Sequence, residues 1–288
     1  MKRSAWLLVG LGLVLAVGRA TSEESVAPKE VRDPKQVFME RLMVVKGEGV
    51  APSDRPLSAP QKRMLALRAA KVVALRELAE TLSGVRVSGE TCVQDAAVHS
   101  DQVKAAVDST VRGAEVVHEE YDERTETATV FVRVSLDGPN GLTQSLLPTL
   151  IETKAVQVPA APAFAPAAAS AAVAASEPVD ALIIDATGKP FRPALINRIV
   201  VANGSVLFEP SKIAPEILAK RGCGDYTSDL GKAKAILASH GAKNPLVLKA
   251  VGVVRSTDAQ VSESDAAVVF TADQKTSFLE GAQVVFVL

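Results

Sequence analysis

The residues best suited to covalent chemistry lie in the second half of the chain, around Cys223. This cysteine stands between Gly222 and Gly224, Asp225 follows directly, and His240 lies fifteen residues beyond Asp225. A thiol activated by a neighbouring imidazole is the arrangement of a cysteine hydrolase. Glycines in such a group are also typical of a helix end, and we favour this second interpretation. The sequence therefore predicts no catalytic residue, with a periplasmic hydrolase that uses Cys223 and His240 as the alternative.

A Gly-x-Gly pair at Gly47 and Gly49 invites comparison with phosphate-binding loops. A dinucleotide site needs a third glycine and a helix that begins directly after the loop. Here Pro52, Pro56 and Pro60 intervene before the next helical pattern. We therefore expect the two glycines to serve tight turns at the end of a strand, and we expect no nucleotide cofactor.

Residues that could hold a metal ion are not arranged as a site. Four acidic residues gather at a predicted hairpin tip, but they lack the ordered spacing and shaping glycine of a calcium loop; they are Glu119, Glu120, Asp122 and Glu123. The histidines are isolated and form no His-Glu-x-x-His frame; they are His99, His118 and His240. The sequence predicts no metal ion and no other cofactor.

The charge balance argues against a nucleic-acid partner. Basic side chains do recur along one predicted helix, at Lys62, Arg63, Arg68, Lys71 and Arg76, but the whole chain has a net charge of −1. A polyanion-binding protein would carry a clear basic excess. We interpret the basic residues as the solvated face of a helix.

The N-terminus has the pattern of a cleavable signal peptide. Lys2 and Arg3 precede an apolar run from Ala5 to Val17, and Gly18-Arg19-Ala20 offers small residues at a cleavage site. The run is short for a membrane span, although an uncleaved anchor is the alternative. We predict a signal peptide at residues 1–20, a flexible leader at 21–35 and no transmembrane segment in the mature chain.

Cysteine usage fits an exported chain without N-terminal lipid. A bacterial lipoprotein needs a cysteine directly after the cleavage site, whereas the first cysteine here is Cys92. Cys92 and Cys223 could form a disulfide in an oxidising compartment or remain unpaired, and the sequence leaves both options open.

The first domain, predicted at residues 36–137, is organised around a helix from Pro60 to Leu82. Its apolar residues recur in steps of three and four, at Met64, Leu67, Ala70, Ala74, Leu78 and Leu82. Ser58 is placed to cap its start and Gly84 to end it. Around it we predict a β-α-β-α-β-β order, from strands Val37–Val45, Val85–Val93, Ala114–Tyr121 and Glu126–Leu136 and a second helix that begins at Asp101. This is an α+β fold, a small sheet with helices on one face.

A connecting segment and a linker follow. Residues 138–155 contain a helical pattern from Leu142 to Ile151, interrupted by Pro148, which we expect to dock on the first domain. Residues 156–178 are rich in alanine and proline and read as a semi-extended linker, with a helix at 167–175 as the alternative. We expect each domain to have its own core.

The second domain, predicted at residues 179–288, is a small mixed α/β unit. Asn203-Gly204 between apolar runs predicts a hairpin with a type I′ turn. The remaining predicted elements are strands Ala181–Ala186, Leu246–Val254 and Gln283–Leu288 and helices Ser211–Lys220, Asp229–His240, Ser264–Phe270 and Lys275–Leu279.

The first domain resembles a known envelope family. The residues that carry the likeness are Lys46–Pro52, Ala66–Lys71, Ala74–Glu80, Gly84–Val87 and Val111–Val117. They look like the domain shared by the twenty-kilodalton surface lipoproteins and the N-terminal part of flagellar assembly protein T (FlgT), over about residues 37–136. The resemblance implies an exported, non-enzymatic protein attached to the outer membrane or to the periplasmic part of the flagellar motor. The missing lipidation cysteine departs from the lipoproteins.

These observations together predict a non-catalytic interaction protein of the periplasm with an envelope or flagellar assembly or structural role, either free in the periplasm or associated with the outer membrane. The partners we expect are envelope proteins, peptidoglycan or outer-membrane components, and flagellar motor proteins.

Overall fold

The computed structural model describes residues 26–54, 56–138, 140–156, 159–166 and 178–288. The predicted signal peptide, residues 21–25 of the leader and the alternative helix at 167–175 lie outside the described residues.

The first region is built on an antiparallel sheet of three strands in the order β1-β5-β4, with a long helix, α2, against one face. Its elements are α1 (Pro34–Glu40), β1 (Leu42–Val50), α2 (Ala59–Ser83), β2 (Arg86–Ser88), β3 (Thr91–Cys92), α3 (Val93–His99), α4 (Asp101–Arg112), β4 (Glu115–Asp122), β5 (Thr127–Ser135) and α5 (Leu142–Glu152).

The second region contains two sheets of four strands each, one parallel in the order β10-β6-β13-β9 and one mixed in the order β11-β12-β7-β8. Its elements are β6 (Ala181–Asp185), β7 (Arg198–Val201), β8 (Val206–Phe208), α6 (Pro215–Arg221), β9 (Asp225–Thr227), α7 (Leu230–Ser239), β10 (Pro245–Lys249), β11 (Gly252–Val254), β12 (Asp258–Val261), α8 (Glu263–Thr276) and β13 (Val284–Val287). The predicted α+β class and the two-region organisation are confirmed.

Helix α2 occupies the central place that its sequence pattern predicts. Ser58 and Gln61 form a capping box at its start, and Gly84 ends it. The buried stripe differs at the N-terminal end from the predicted one, because Ala66 is buried while Met64 is 59% exposed. The stripe is therefore made of alanines where it meets the strands and of leucines further on.

Small residues on α2 meet Gly47 and Gly49, which lie inside β1. A Cβ on Gly47 would lie 2.2 Å from the backbone nitrogen of Ala74, and one on Gly49 would lie 2.3 Å from that of Ala70. The prediction that these glycines form tight turns at a strand end is therefore wrong. They let strand and helix backbones approach closely, and β1 continues through both of them to Val50.

Two further predictions for the first region were wrong in their local structure. Residues from Val37 to Glu40 belong to α1, whose N-terminus is capped by Asp33 and carries a proline, so the strand begins only at Leu42. The predicted strand Val85–Val93 is a tight hairpin of β2 and β3, turned at Gly89 with φ +58°. A short helix, α3, follows it unpredicted.

In the second region, the hairpin at Asn203-Gly204 is present but is not of type I′. Gly204 has φ +86° and donates its N–H to the carbonyl of Val201 at 2.9 Å, while Val201 donates to Ser205 at 2.8 Å. This is a three-residue loop with glycine in the left-handed position.

The predicted strand Leu246–Val254 is two strands in different sheets. The N–H of Ala250 bonds to Asp185 in the parallel sheet, and the next N–H, of Val251, bonds to Gln260 in the mixed sheet. The chain changes sheets at this point. Strands β9 and β12 were not predicted, and the helix expected at Ser211–Lys220 is a 3₁₀ turn followed by α6. The helix expected at Ser264–Phe270 is part of the longer α8, which ends at Thr276, so most of the helix expected at Lys275–Leu279 is absent.

The two regions pack directly on one another. A single buried apolar cluster runs through both, which differs from the expectation of two separate cores. Helix α5 continues through Pro148 and packs between α4 and α6, so the connecting segment docks on both regions. Part of the predicted linker is also ordered, because Phe164 is buried and its N–H bonds to Val206 at 2.8 Å.

Candidate functional site

The charged residues nearest to Cys223 form an ionic cluster on the seam between the two regions. Arg41, at the end of α1 in the left-handed conformation (φ 57°), donates from Nε to Asp137 at 2.7 Å and makes a second bond to the same carboxylate through Nη2. Its Nη2 also donates to the carbonyl of Arg221 at 2.9 Å, which lies in the other region. One guanidinium thus joins both regions.

The second-region side of this cluster contains Arg221, Asp225 and His240. Arg221 Nη2 lies 2.5 Å from His240 Nδ1 and 3.4 Å from Asp225 Oδ2. Asp225 Oδ1 lies 3.7 Å from Arg41 Nε, so each charged group faces an opposite charge. We name these five residues, Arg41, Asp137, Arg221, Asp225 and His240, the seam cluster.

The protonation states follow from these contacts. Burial, and then the positive charge of Arg221, lower the pKa of His240 below its ordinary value, although Asp225 opposes the shift. Burial would lower the pKa of Arg41 too, but its hydrogen bond to Asp137 and the negative charges of Asp137 and Asp225 raise it overall. The imidazole of His240 is therefore neutral at neutral pH, and its Nδ1 accepts from Arg221.

Cys223 lies two residues from both Arg221 and Asp225 in the chain, and only 2% of its surface is exposed to solvent. Burial raises the pKa of its thiol to about 12, against smaller opposing effects from the backbone of Asn197 and the charge of Arg41. A cysteine nucleophile needs the opposite shift, because the thiolate is the reactive form. The structure brings Cys223, Asp225 and His240 into one neighbourhood, but it gives the aspartate and the imidazole contacts with arginines. Both Cys92 and Cys223 are free thiols.

Aromatic rings from both regions pack against one another near the seam cluster. Tyr226 stacks on Phe286 at 5.6 Å and meets Phe38 of the first region edge-on at 5.4 Å. Its hydroxyl donates to the carbonyl of Ala194 at 2.8 Å and contacts Asn197 Oδ1. Burial raises the pKa of Tyr226, so the phenol stays protonated and acts as a structural donor.

The described residues also line an open, largely apolar cavity of about 670 Å³ on the seam. Its walls come from α5, the segment after it and the turn that follows β8, with apolar lining by Leu150, Ile151, Val156, Ile196 and Pro210. Lys154, Glu209 and Ser211 supply polar groups, and Ser211 Oγ already donates to Glu209 at 2.8 Å.

The acidic hairpin residues, His118 and Lys62, which the sequence also singled out, make local structural contacts. At the acidic hairpin tip, Asp122 accepts from the N–H groups of Arg124 and Thr125, and these bonds lower its pKa. His118 packs edge-on against Phe131 at 5.7 Å. Lys62 pairs with the surface Glu126 at 2.6 Å.

Within the described residues, no group of three or more histidine, cysteine or acidic side chains could hold a metal ion. In that same part of the chain, no helix combines the length and apolar character that a membrane span requires.

Sequence reasoning found Cys223, Asp225 and His240 but missed Arg41 and Asp137. Arg41 fell inside a predicted strand and Asp137 at the predicted end of the first domain, and each acquires its role through a contact 96 residues away along the chain. No local pattern carries that information.

The comparisons with known proteins bear on the second region alone. Residues 181–288 match a family model described as the second domain of Treponema pallidum Tp0624. The match begins at the first residue of β6 and ends after β13, so it spans both sheets of this region. A search of curated proteins gave no match for the chain.

Proposed function

We propose that this chain is a non-catalytic protein of the cell envelope, exported to the periplasm by residues 1–20, that works by binding other envelope components. The pattern of the N-terminus supports export, and the likeness of residues 37–136 to the FlgT and surface lipoprotein domain supports the envelope. The partners that this likeness favours are outer-membrane or peptidoglycan components and proteins of the flagellar motor.

The seam cluster is the observation that carries the non-catalytic part of this proposal. The side chains best suited to catalysis already bond to one another where the two regions meet. Arg221 contacts His240, and Arg41 bonds both to Asp137 and to the carbonyl of Arg221 in the second region. Burial holds the Cys223 thiol in its protonated form. Such a joint gives the protein a fixed surface that draws on both regions, which suits recognition of a partner.

Fractionation of cells tests the location. The full chain should be recovered in the periplasmic or outer-membrane fraction, and a version without residues 1–20 should remain in the cytoplasm. Recovery of the full chain in the cytoplasm would contradict export.

Crosslinking of the exported protein in its native envelope, followed by identification of the attached molecules, tests the class of partner. Envelope proteins or peptidoglycan fragments are the expected products. The flagellar version predicts that deletion of the gene impairs swimming, so normal motility with intact basal bodies would remove that version alone.

Thiol labelling tests the hydrolase alternative. A Cys92→Ser variant leaves Cys223 as the single thiol, and a Cys223→Ser variant provides the matched control in which only the half-buried Cys92 reacts. We expect Cys223 to label at neutral pH only when the protein is unfolded. Rapid labelling of Cys223 in the folded protein would indicate a thiolate and would support the hydrolase instead.

A further inference from the structure

Strand β10 is an edge of the parallel sheet, and its outer side has no neighbouring strand among the described residues. It pairs with β6 in the register Pro245↔Ala181, and the N–H of Ala250, just after it, bonds inward to Asp185 at 2.8 Å. Because successive residues of a strand point their backbone groups to opposite sides, Leu246 and Leu248 also bond inward. The N–H and carbonyl groups of Val247 and Lys249 therefore point outward.

The side chains of β10 leave this edge apolar at its middle. Val247 lies on the same sheet face as Ile183, its partner in β6. Helix α7 covers that face over β6, β13 and β9, and it leaves Val247 39% exposed. Exposed edges are usually protected by charges or prolines. Here Pro245 and Lys249 protect the two ends of the strand and nothing protects its centre.

We propose that the β10 edge pairs with the β10 edge of a second copy of this chain, antiparallel and with a twofold axis at Val247. Each Val247 then exchanges N–H···O bonds with the partner's Val247, and each Lys249 N–H donates to the carbonyl of the partner's Pro245. The four-stranded parallel sheet of each copy then joins that of the other to form one sheet of eight strands, and the two exposed valines bury each other.

Among the registers whose twofold axis lies at an outward-pointing residue, charge and donor placement select this one. A twofold axis at Lys249 would set two like charges opposite one another, which destabilises strand pairing. An axis at Pro245 would oppose two residues without an N–H. The axis at Val247 overlaps the whole strand and sets each lysine opposite a proline. A twofold contact of this kind also closes on itself, so it gives a dimer and not a fibre.

Sedimentation of the purified full-length mature protein tests the assembly. We expect a dimer at micromolar concentration. Val247→Lys should weaken dimerisation at least tenfold because it opposes two positive charges at the axis, whereas Val72→Lys, at a 55% exposed position on α2, should leave it unchanged. Far-UV circular dichroism of each variant checks that it is folded.

Crosslinking with a short bifunctional thiol reagent tests the register in a Cys92→Ser background. Val247→Cys should crosslink two copies, because directly opposed Cβ atoms lie about 5 Å apart. Lys249→Cys should not, because the two cysteines would be offset by four residues, roughly 13 Å.

A wild-type protein that stays monomeric would overturn the proposal, and so would equal crosslinking at the two positions or a dimer indifferent to Val247→Lys. Occupation of the edge by the chain's own residues 167–177 would give the monomeric result. The outcome does not depend on export or on the partner, so it is separate from the proposed function.

Discussion

Replacing Gly47 with alanine tests how closely β1 approaches α2. The added methyl carbon would lie 2.2 Å from the nitrogen of Ala74 and 2.3 Å from the carbonyl oxygen of Ala70. Both atoms belong to the helix backbone, so neither can rotate away. Strand and helix must separate by about 1 Å to restore ordinary contact distances of 3.5 Å or a little less. Overpacking of this kind costs about 1–3 kcal/mol, and we expect a loss near the upper end because the obstacle is backbone.

Urea denaturation followed by far-UV circular dichroism measures this loss. Gly84→Ala is the matched control: Gly84 ends the same helix with φ −81°, and its added carbon would find nothing nearer than 3.6 Å. We expect the control to change the free energy of unfolding by no more than about 1 kcal/mol, in the stabilising direction, because alanine restricts the unfolded chain. A Gly47→Ala protein as stable as its Gly84→Ala counterpart would refute the close-approach argument.

Two further predictions concern charges. The pKa of His240 is lowered on folding, so the unfolded chain takes up the proton first and stability is lost as pH falls below about 6.5. Thermal unfolding at pH 7.5 and pH 5 should therefore show a smaller drop in stability for His240→Gln than for wild type. Asp258→Asn should lower the free energy of unfolding by about 3–5 kcal/mol, because it removes the counter-charge of the buried Arg198. In the wild type, Arg198 Nη2 lies 2.6 Å from Asp258 Oδ2. Arg133→Gln breaks a surface pair and should cost under about 1 kcal/mol in the same urea titration.

Helices with clear periodicity and capping residues were predictable from the sequence. The bounds of α2 follow from Ser58, its apolar spacing and Gly84, and those of α7 follow from Asp229, whose side chain accepts from Lys232. These signals are local: a cap and its helix lie within a few residues of each other. The buried strands β6 and β13 were also found, because a short apolar run between turn residues is enough to mark them.

The prediction of strands from sequence was wrong where pairing with a distant segment determines which strand a residue belongs to. Nothing within Leu246–Val254 shows that Ala250 will bond to Asp185 and Val251 to Gln260, yet those two bonds divide the segment between sheets. The prediction of a tight turn at Gly47 was wrong for the same reason, because a glycine needed for a turn and a glycine needed for close packing look identical in sequence. The candidate site was only half predictable, since Arg41 and its bond to the carbonyl of Arg221 join residues 180 positions apart.

The seam and the β10 edge differ in how their polar groups are used. At the seam, Arg41 and Asp225 meet opposite charges, so a further ligand would have to displace bonds that already hold the regions together. At β10, the outward N–H groups of Val247 and Lys249 have no strand to accept them, so a partner gains hydrogen bonds without breaking any within the described residues. A strand added at this edge would therefore leave the existing bonds of the described residues intact, whereas the bonds at the seam join the two regions to each other.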